Sequence, residues 1–113
     1  MIVNHFEAFS KHVGNTPLVK LECKETKDLS IYAKCEWHNP TGSIKDRAAL
    51  GMINKYLQEA DKKQNILEYS GGSLARSIGC ICNYLGIQCT LVLSSGTDKS
   101  LLNELDRYGA NVI

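Results

Sequence analysis

Two polar stretches in this 113-residue chain combine residue types that can do chemistry. The first is Asn39-Pro40-Thr41-Gly42-Ser43-Ile44-Lys45-Asp46-Arg47, a turn that runs into a helical pattern and puts a lysine on its first turn. At about 100° per residue, Ile44, Ala48, Met52, Tyr56 and Ala60 trace one apolar line with Ala49, Ile53 and Leu57 beside it. Lys45 is expected to project into that stripe. Either it snorkels to water, or an amine is needed near the core, as a point charge for an anion or as a Schiff-base nucleophile. Apolar surroundings favour the neutral amine that imine chemistry requires. G-x-x-x-x-G-K-[ST] is absent, so a nucleotide loop of that type is not indicated.

The second stretch is Ser70-Gly71-Gly72-Ser73, where a strand pattern changes to a helical one. Backbone N–H groups at a helix start, a positive dipole end and small hydroxyls suit a carboxylate or a phosphate. The plainer alternative is a glycine turn in which Ser73 is the helix N-cap. Asp46 complements a helix dipole, and Arg47 is expected to pair with a glutamate or a neighbouring loop. Arg76 and Asn83 fall opposite Leu74, Ile78 and Leu85, on a solvated or partner-facing side. His5, His12 and His38 have no carboxylate or cysteine at ligand spacing, so no metal site is expected.

The elements that must position these stretches follow from periodicity. Residues 1–11 form a short helix or arm that docks through Phe6 and Phe9. Val13-Gly14-Asn15-Thr16-Pro17 is a turn before a half-buried strand, Leu18-Val19-Lys20-Leu21-Glu22. A second strand over residues 30–36 pairs with it antiparallel, because the link is short. Beyond the lysine helix lie an exit loop at residues 61–64, a strand at 65–69, a helix ended by Gly86, and a strand at 89–93. A loop at 94–98, a helix ended by Gly109 and the start of a strand at Asn111-Val112-Ile113 complete the chain. Regular alternation from Thr41 onward implies an α/β fold, a parallel sheet flanked by helices and preceded by a short two-stranded segment. In such sheets ligands sit off the carboxyl ends of the strands, where residues 70–73 lie. The chain divides into an arm with two strands, 1–38, and an α/β unit, 39–113. Stopping as a strand opens, it is expected to be the front part of a longer protein.

Composition sets limits. Hydrophobic residues make up 43% and charged residues 22%, ordinary for a globular chain. Thirteen basic against twelve acidic side chains give a formal charge of +1, which argues against nucleic-acid or membrane-surface binding driven by bulk charge. Five cysteines (Cys23, Cys35, Cys80, Cys82 and Cys89) show no disulfide framework, so buried structural thiols and a reduced, cytoplasmic setting are expected. No apolar run approaches the roughly 20 residues that span a bilayer.

Taken together, these segments resemble the N-terminal part of the cysteine synthase and cystathionine β-synthase family, fold type II pyridoxal-phosphate enzymes with the tryptophan synthase β fold. The resemblance runs through Val13-Gly14-Asn15-Thr16-Pro17-Leu18-Val19, Ala33-Lys34-Cys35-Glu36, the run from Asn39 to Arg47, Glu68-Tyr69-Ser70-Gly71-Gly72-Ser73 and Tyr108-Gly109-Ala110. It implies that Lys45 is the catalytic Schiff-base lysine and that pyridoxal 5'-phosphate is the cofactor, with Ser73 at a position that contacts the cofactor ring. Ser70, Gly71, Gly72 and Ser73 would hold the substrate carboxylate. The implied chemistry is β-elimination and β-replacement on an activated L-serine, with a nucleophile such as sulfide, in a homo-oligomer.

Two departures accompany the resemblance. Many members read Thr-Ser-Gly-Asn-Thr-Gly at the carboxylate loop, and a subgroup has Gly-Gly-Ser followed by Thr-Gly. This chain continues Leu74-Ala75-Arg76. The family's later phosphate-binding loop and its serine or threonine at the pyridine nitrogen do not lie within these 113 residues. The isolated chain is therefore expected to be inactive and to self-associate through exposed apolar surface. The alternative is a truncated or degenerate member serving as a non-catalytic binding or assembly module.

Overall fold

The structure is a computed structural model that describes residues 1–26, 28–59 and 65–113. In chain order it runs α1 (Ile2–Ser10), β1 (Leu18–Leu21), β2 (Ile31–Lys34), α2 (Lys45–Glu59), β3 (Ile66–Tyr69), α3 (Ser73–Leu85), β4 (Cys89–Val92), α4 (Lys99–Arg107) and β5 (Asn111–Val112). β1 and β2 form an antiparallel pair, with Leu18 opposite Lys34 and Leu21 opposite Ile31. β3, β4 and β5 form a parallel sheet in that order. The expected α/β alternation is therefore present, element for element. The exit loop expected at 61–64 lies outside the described residues.

The core forms where α3 meets β4 and its neighbouring helices. Ala75, Ile78, Ile81, Cys82 and Leu85 of α3 are buried with Leu91 of β4 and with Leu101 and Leu105 of α4. β4 is the central strand, and Cys89, Thr90 and Leu91 are all buried, as both faces of a covered parallel strand should be. Helices α3 and α4 approach closely because Gly79 has no side chain; a Cβ there would stand 3.1 Å from Leu105 Cδ2. Gly86 ends α3 in the left-handed conformation at φ 68°. Asp98 caps α4 by accepting from the Ser100 amide at 3.1 Å. The arm docks as its phenylalanines suggest, with Phe9 buried and its ring 5.1 Å from that of Tyr84.

Three expectations are corrected. First, β1 is not half-buried, since all four of its residues are exposed. A two-stranded sheet has only the cover that other elements bring to its faces, and Leu18, Val19, Leu21, Ile31 and Tyr32 stay in contact with water. Second, the apolar line led by Ile44 does not face the core: Ile44 is 59% exposed and Met52 42%. The buried line of α2 is Asp46, Ala49 and Ile53, flanked by Leu50 and Leu57. The apolar arc of α2 is wide enough for either line to turn inward, and a polar contact described below selects between them. Third, Cys35, Cys82 and Cys89 are buried thiols, whereas Cys23 is exposed and Cys80 half-buried. Cys82 and Cys89 lie side by side, and a hydrogen bond between them pushes the Cys82 thiol up and holds Cys89 down.

Among the described residues no helix is long and apolar enough to cross a membrane. Burial of the second line yields a direct contrast. Ile53→Ala should lower stability by about 2–5 kcal/mol, as for other large-to-small changes in packed cores, and Met52→Ala by well under half as much. Urea unfolding followed by circular dichroism measures both.

Candidate active site

The turn before α2 is built from side chains that bond back to its own backbone. Asn39 is buried. Its Nδ2 group donates to the Glu36 carbonyl at 3.0 Å, the Ser43 carbonyl at 3.1 Å and Glu36 Oε2 at 2.8 Å, while its Oδ1 accepts from the Gly14 amide at 2.8 Å. Such full use of an amide explains why no apolar residue would serve there. Ser43 Oγ accepts from the Lys45 amide at 3.1 Å, supporting the first turn of the helix.

The three residues that follow point three ways, as successive helix positions must. Asp46 points inward and is 1% exposed. Its Oδ2 accepts from the Thr41 amide at 2.7 Å, and its Oδ1 accepts from the Thr41 hydroxyl and the Ser77 hydroxyl, each at 2.5 Å. Arg47 points sideways to Glu36, with Nε and Nη2 each 2.9 Å from a carboxylate oxygen in a two-pronged pair. Thr16 Oγ1 donates to the same carboxylate at 2.7 Å, and the Lys34 ammonium donates to the Thr16 carbonyl. Gly14 leaves room for this pair: at φ 82° it also suits glycine, and a Cβ there would stand 2.8 Å from Arg47 Nη1.

Lys45 is the remaining direction. Its side chain is exposed, and among the described residues no group pairs with its ammonium. The expected amine within the apolar stripe is thus corrected, because Asp46 occupies the inward direction and turns Lys45 to the outside.

The second stretch lies at the carboxyl end of β3, where the Ser70 amide donates to the Val92 carbonyl at 3.1 Å. Ser70 is buried, and its hydroxyl accepts from the amides of Gly72 at 3.3 Å and Ala75 at 3.0 Å. Capping of α3 therefore falls to Ser70, not to Ser73, which is the first residue of the helix. Gly72 holds the N-cap position at φ 155°, ψ −88°, a conformation that favours glycine. The Arg76 amide bonds to the Gly72 carbonyl at 3.0 Å. Of the first amides of α3, those of Ser73 and Leu74 have no partner among the described residues, which leaves two donors at the positive end of the helix. Ala75 is fully buried in the core, and Arg76 pairs with Glu104 of α4 at 2.8 Å instead of lying on a solvated side.

The two stretches meet through Ser77. Its hydroxyl touches Asp46, stands 3.3 Å from Thr41 Oγ1, and lies 3.0 Å from the carbonyl of Ser73. Thr16, Glu36 and Ser77 join Thr41 at this site although they lie outside the two chemistry-bearing stretches of the sequence. A signal for Ser77 existed, since a hydroxyl beside the apolar positions Leu74, Ile78 and Ile81 must find a partner. Among the described residues no group of histidine, cysteine or carboxylate side chains could hold a metal.

Glu36 offers a pH test. The Arg47 guanidinium, and then the Thr16 hydroxyl, hold its carboxyl down to about 2 from an ordinary 4.5. A depressed acid contributes stability above its unfolded value, and that contribution is lost as pH falls toward the folded one. Thermal melting between pH 6 and pH 2 should therefore show the wild type losing stability below about pH 4.5, with Glu36→Gln less stable at pH 6 and flatter through that window.

Comparison with known proteins places this geometry among relatives. The family model described as pyridoxal-phosphate dependent enzyme matches residues 9–113. The N-(2-amino-2-carboxyethyl)-L-glutamate synthase of Cupriavidus metallidurans is 36% identical over 103 residues, covering 88% of this chain and 30% of its own. Cysteine synthase B of Campylobacter jejuni is 32% identical over 108 residues, 94% of this chain and 35% of its own. A hydrogen sulfide-producing enzyme of Fusobacterium nucleatum superposes with a TM-score of 0.85 at 33% identity, over 93% of this chain and 35% of that one. Cysteine synthase of Entamoeba histolytica, at 21% identity and a TM-score of 0.85, shares the fold. The chain spans about a third of the length of these relatives.

Proposed function

The chain belongs to the pyridoxal-phosphate dependent enzymes, and from that premise we propose that it is the N-terminal portion of a cysteine-synthase-like member acting on an activated L-serine. The observation that carries this reading is the exposed Lys45 amine, unpaired among the described residues and set at a helix start directly ahead of two anchored neighbours, Asp46 and Arg47. The donor set fits one end of the cofactor, an accessible primary amine for its aldehyde, while the unused amides at a helix N-terminus suit the carboxylate of an amino-acid substrate. When bound, pyridoxal phosphate supplies an electron sink for β-elimination and β-replacement at an amino acid.

Each residue then has a task. Lys45 would hold the cofactor through Nζ and, once the substrate's amine has displaced it, would carry on that same atom the proton taken from the substrate Cα. The loop of Ser70, Gly71, Gly72 and Ser73 holds the substrate carboxylate on its backbone N–H groups, with Ser73 and Leu74 as the free donors. Ser73 is the side chain from which the cofactor ring would be contacted. The setting is a reducing cytoplasm, which agrees with cysteines that form no disulfide among the described residues.

A second reading, a non-catalytic binding or assembly module, draws on residues 74–76. Leu74 and Ala75 pack with the core, where a subgroup of the family has a hydroxyl and a glycine next to the substrate. One experiment separates the two readings. The protein is incubated with pyridoxal phosphate, reduced with borohydride, and mapped by mass spectrometry. Selective modification of Lys45 supports the enzyme portion, whether or not this chain alone converts O-acetylserine. Labelling spread evenly over the lysines contradicts the proposed role of Lys45 and supports the module.

The exposed apolar residues of β1 and β2, with Leu67 and Tyr69 of β3, belong to the same proposal as surfaces that are covered in the assembled protein. The chain by itself is expected to self-associate. Size-exclusion chromatography with light scattering should give a mass above 12.5 kDa, and a clean monomer would count against it.

A further inference from the structure

The contacts of Asp46 divide into two sets. Its bonds to the Thr41 amide and hydroxyl close a loop of backbone from residue 41 to residue 46 that contains Lys45. Its bond to Ser77 fixes that loop against the second turn of α3. Ser77 has one hydroxyl proton, and the charged acceptor at 2.5 Å takes it ahead of the Ser73 carbonyl at 3.0 Å. The Ser77 oxygen nevertheless stays against that carbonyl, in the first residue of α3 and the last of the 70–73 loop.

We infer that Asp46 and Ser77 are positioning residues that hold the Lys45 amine at a fixed place relative to the free amides of Ser73 and Leu74. This rests on the reading of Lys45 as the cofactor amine. An amino-acid substrate gripped at its Cα side by one element and at its carboxylate by the other needs the two set to a fraction of an ångström. The apolar contacts of Ala49 and Ile53 cannot supply that precision alone, because the apolar arc of α2 extends to Ala48 and Met52 and would tolerate rotation about the helix axis. Directional hydrogen bonds to a buried carboxylate do not tolerate it. Neither residue reaches solvent on the side where Lys45 lies, so both act through the backbone that carries the amine and the amides.

The test compares Ser77→Ala and Asp46→Asn with Ile53→Val, which loosens the same helix pair without touching the bridge. All are used as the full chain at a temperature where circular dichroism shows each folded. Two readouts are taken: pyridoxal phosphate fixed by borohydride on Lys45 relative to the other lysines, and amide hydrogen exchange in residues 41–46 and 72–75. Ser77→Ala and Asp46→Asn should each lower the Lys45 share about tenfold and speed exchange in both segments, while Ile53→Val leaves both near wild type. Wild-type labelling and exchange in the two bridge variants, or an equal loss in Ile53→Val, would overturn the inference. If the wild type itself shows no preference for Lys45, the cofactor reading fails. Exchange then decides alone, and unchanged exchange in Ser77→Ala overturns the bridge as well.

Discussion

A carboxylate taken out of water must be given donors, and Asp46 receives three from two different elements. Leaving such a buried group short of its donors typically costs about 1–3 kcal/mol and more when it is charged, and unlike apolar contacts it can be met only in one orientation. That asymmetry decides the rotation of α2. With Asp46 committed to Thr41 and Ser77, the line through Ala49 and Ile53 must face α3, and the line through Ile44, Ala48 and Met52 must face outward. The exposure of Lys45 follows from the same choice, because it sits one position, about 100° of arc, from the buried acid.

The polar residues around this turn therefore do different jobs although they are contiguous in the chain. Asn39, Thr41 and Ser43 shape the turn; Asp46 joins it to α3; Arg47 joins it, through Glu36 and Thr16, to the segment that carries β1 and β2. Of these, Lys45 alone is left without a partner among the described residues. Exposure by itself does not set it apart, since Lys11, Lys20 and Lys99 are likewise exposed and without a partner among the described residues. What distinguishes Lys45 is the pair of anchored residues directly behind it, which is why they matter to the proposed function.

Much of this was legible in the amino-acid sequence, for reasons that differ by element. Alternation of helix and strand after Thr41 is strong because α3 and β4 are apolar with sharp glycine stops, so order and parallel topology could be read directly. The rotation of α2 could not, since hydrophobicity defines an arc and does not say which part of it a neighbouring helix will meet. Asp46 looked like a residue favourable to a helix dipole, and its partner Ser77 lies 31 positions away, beyond the reach of periodicity. The exposure of β1 escaped for a related reason: alternation reports which residues could be buried, and burial needs an element to do it. At the second stretch the sequence allows either an anion loop or a glycine turn in which Ser73 caps the helix. The hydroxyl three residues earlier caps α3, because Gly72 at the N-cap position has no side chain to offer.

The central claim is that Asp46 and Ser77 are energetically coupled across the α2–α3 contact and that this coupling sets the face that α2 presents. A double-mutant cycle with Asp46→Asn, Ser77→Ala and the double variant, read by urea unfolding, measures it directly. The account predicts an interaction energy of about 1–3 kcal/mol, the double variant being little worse than Asp46→Asn alone. Destabilisations that simply add, to within about 0.3 kcal/mol, would mean that the two residues do not depend on each other and would contradict it.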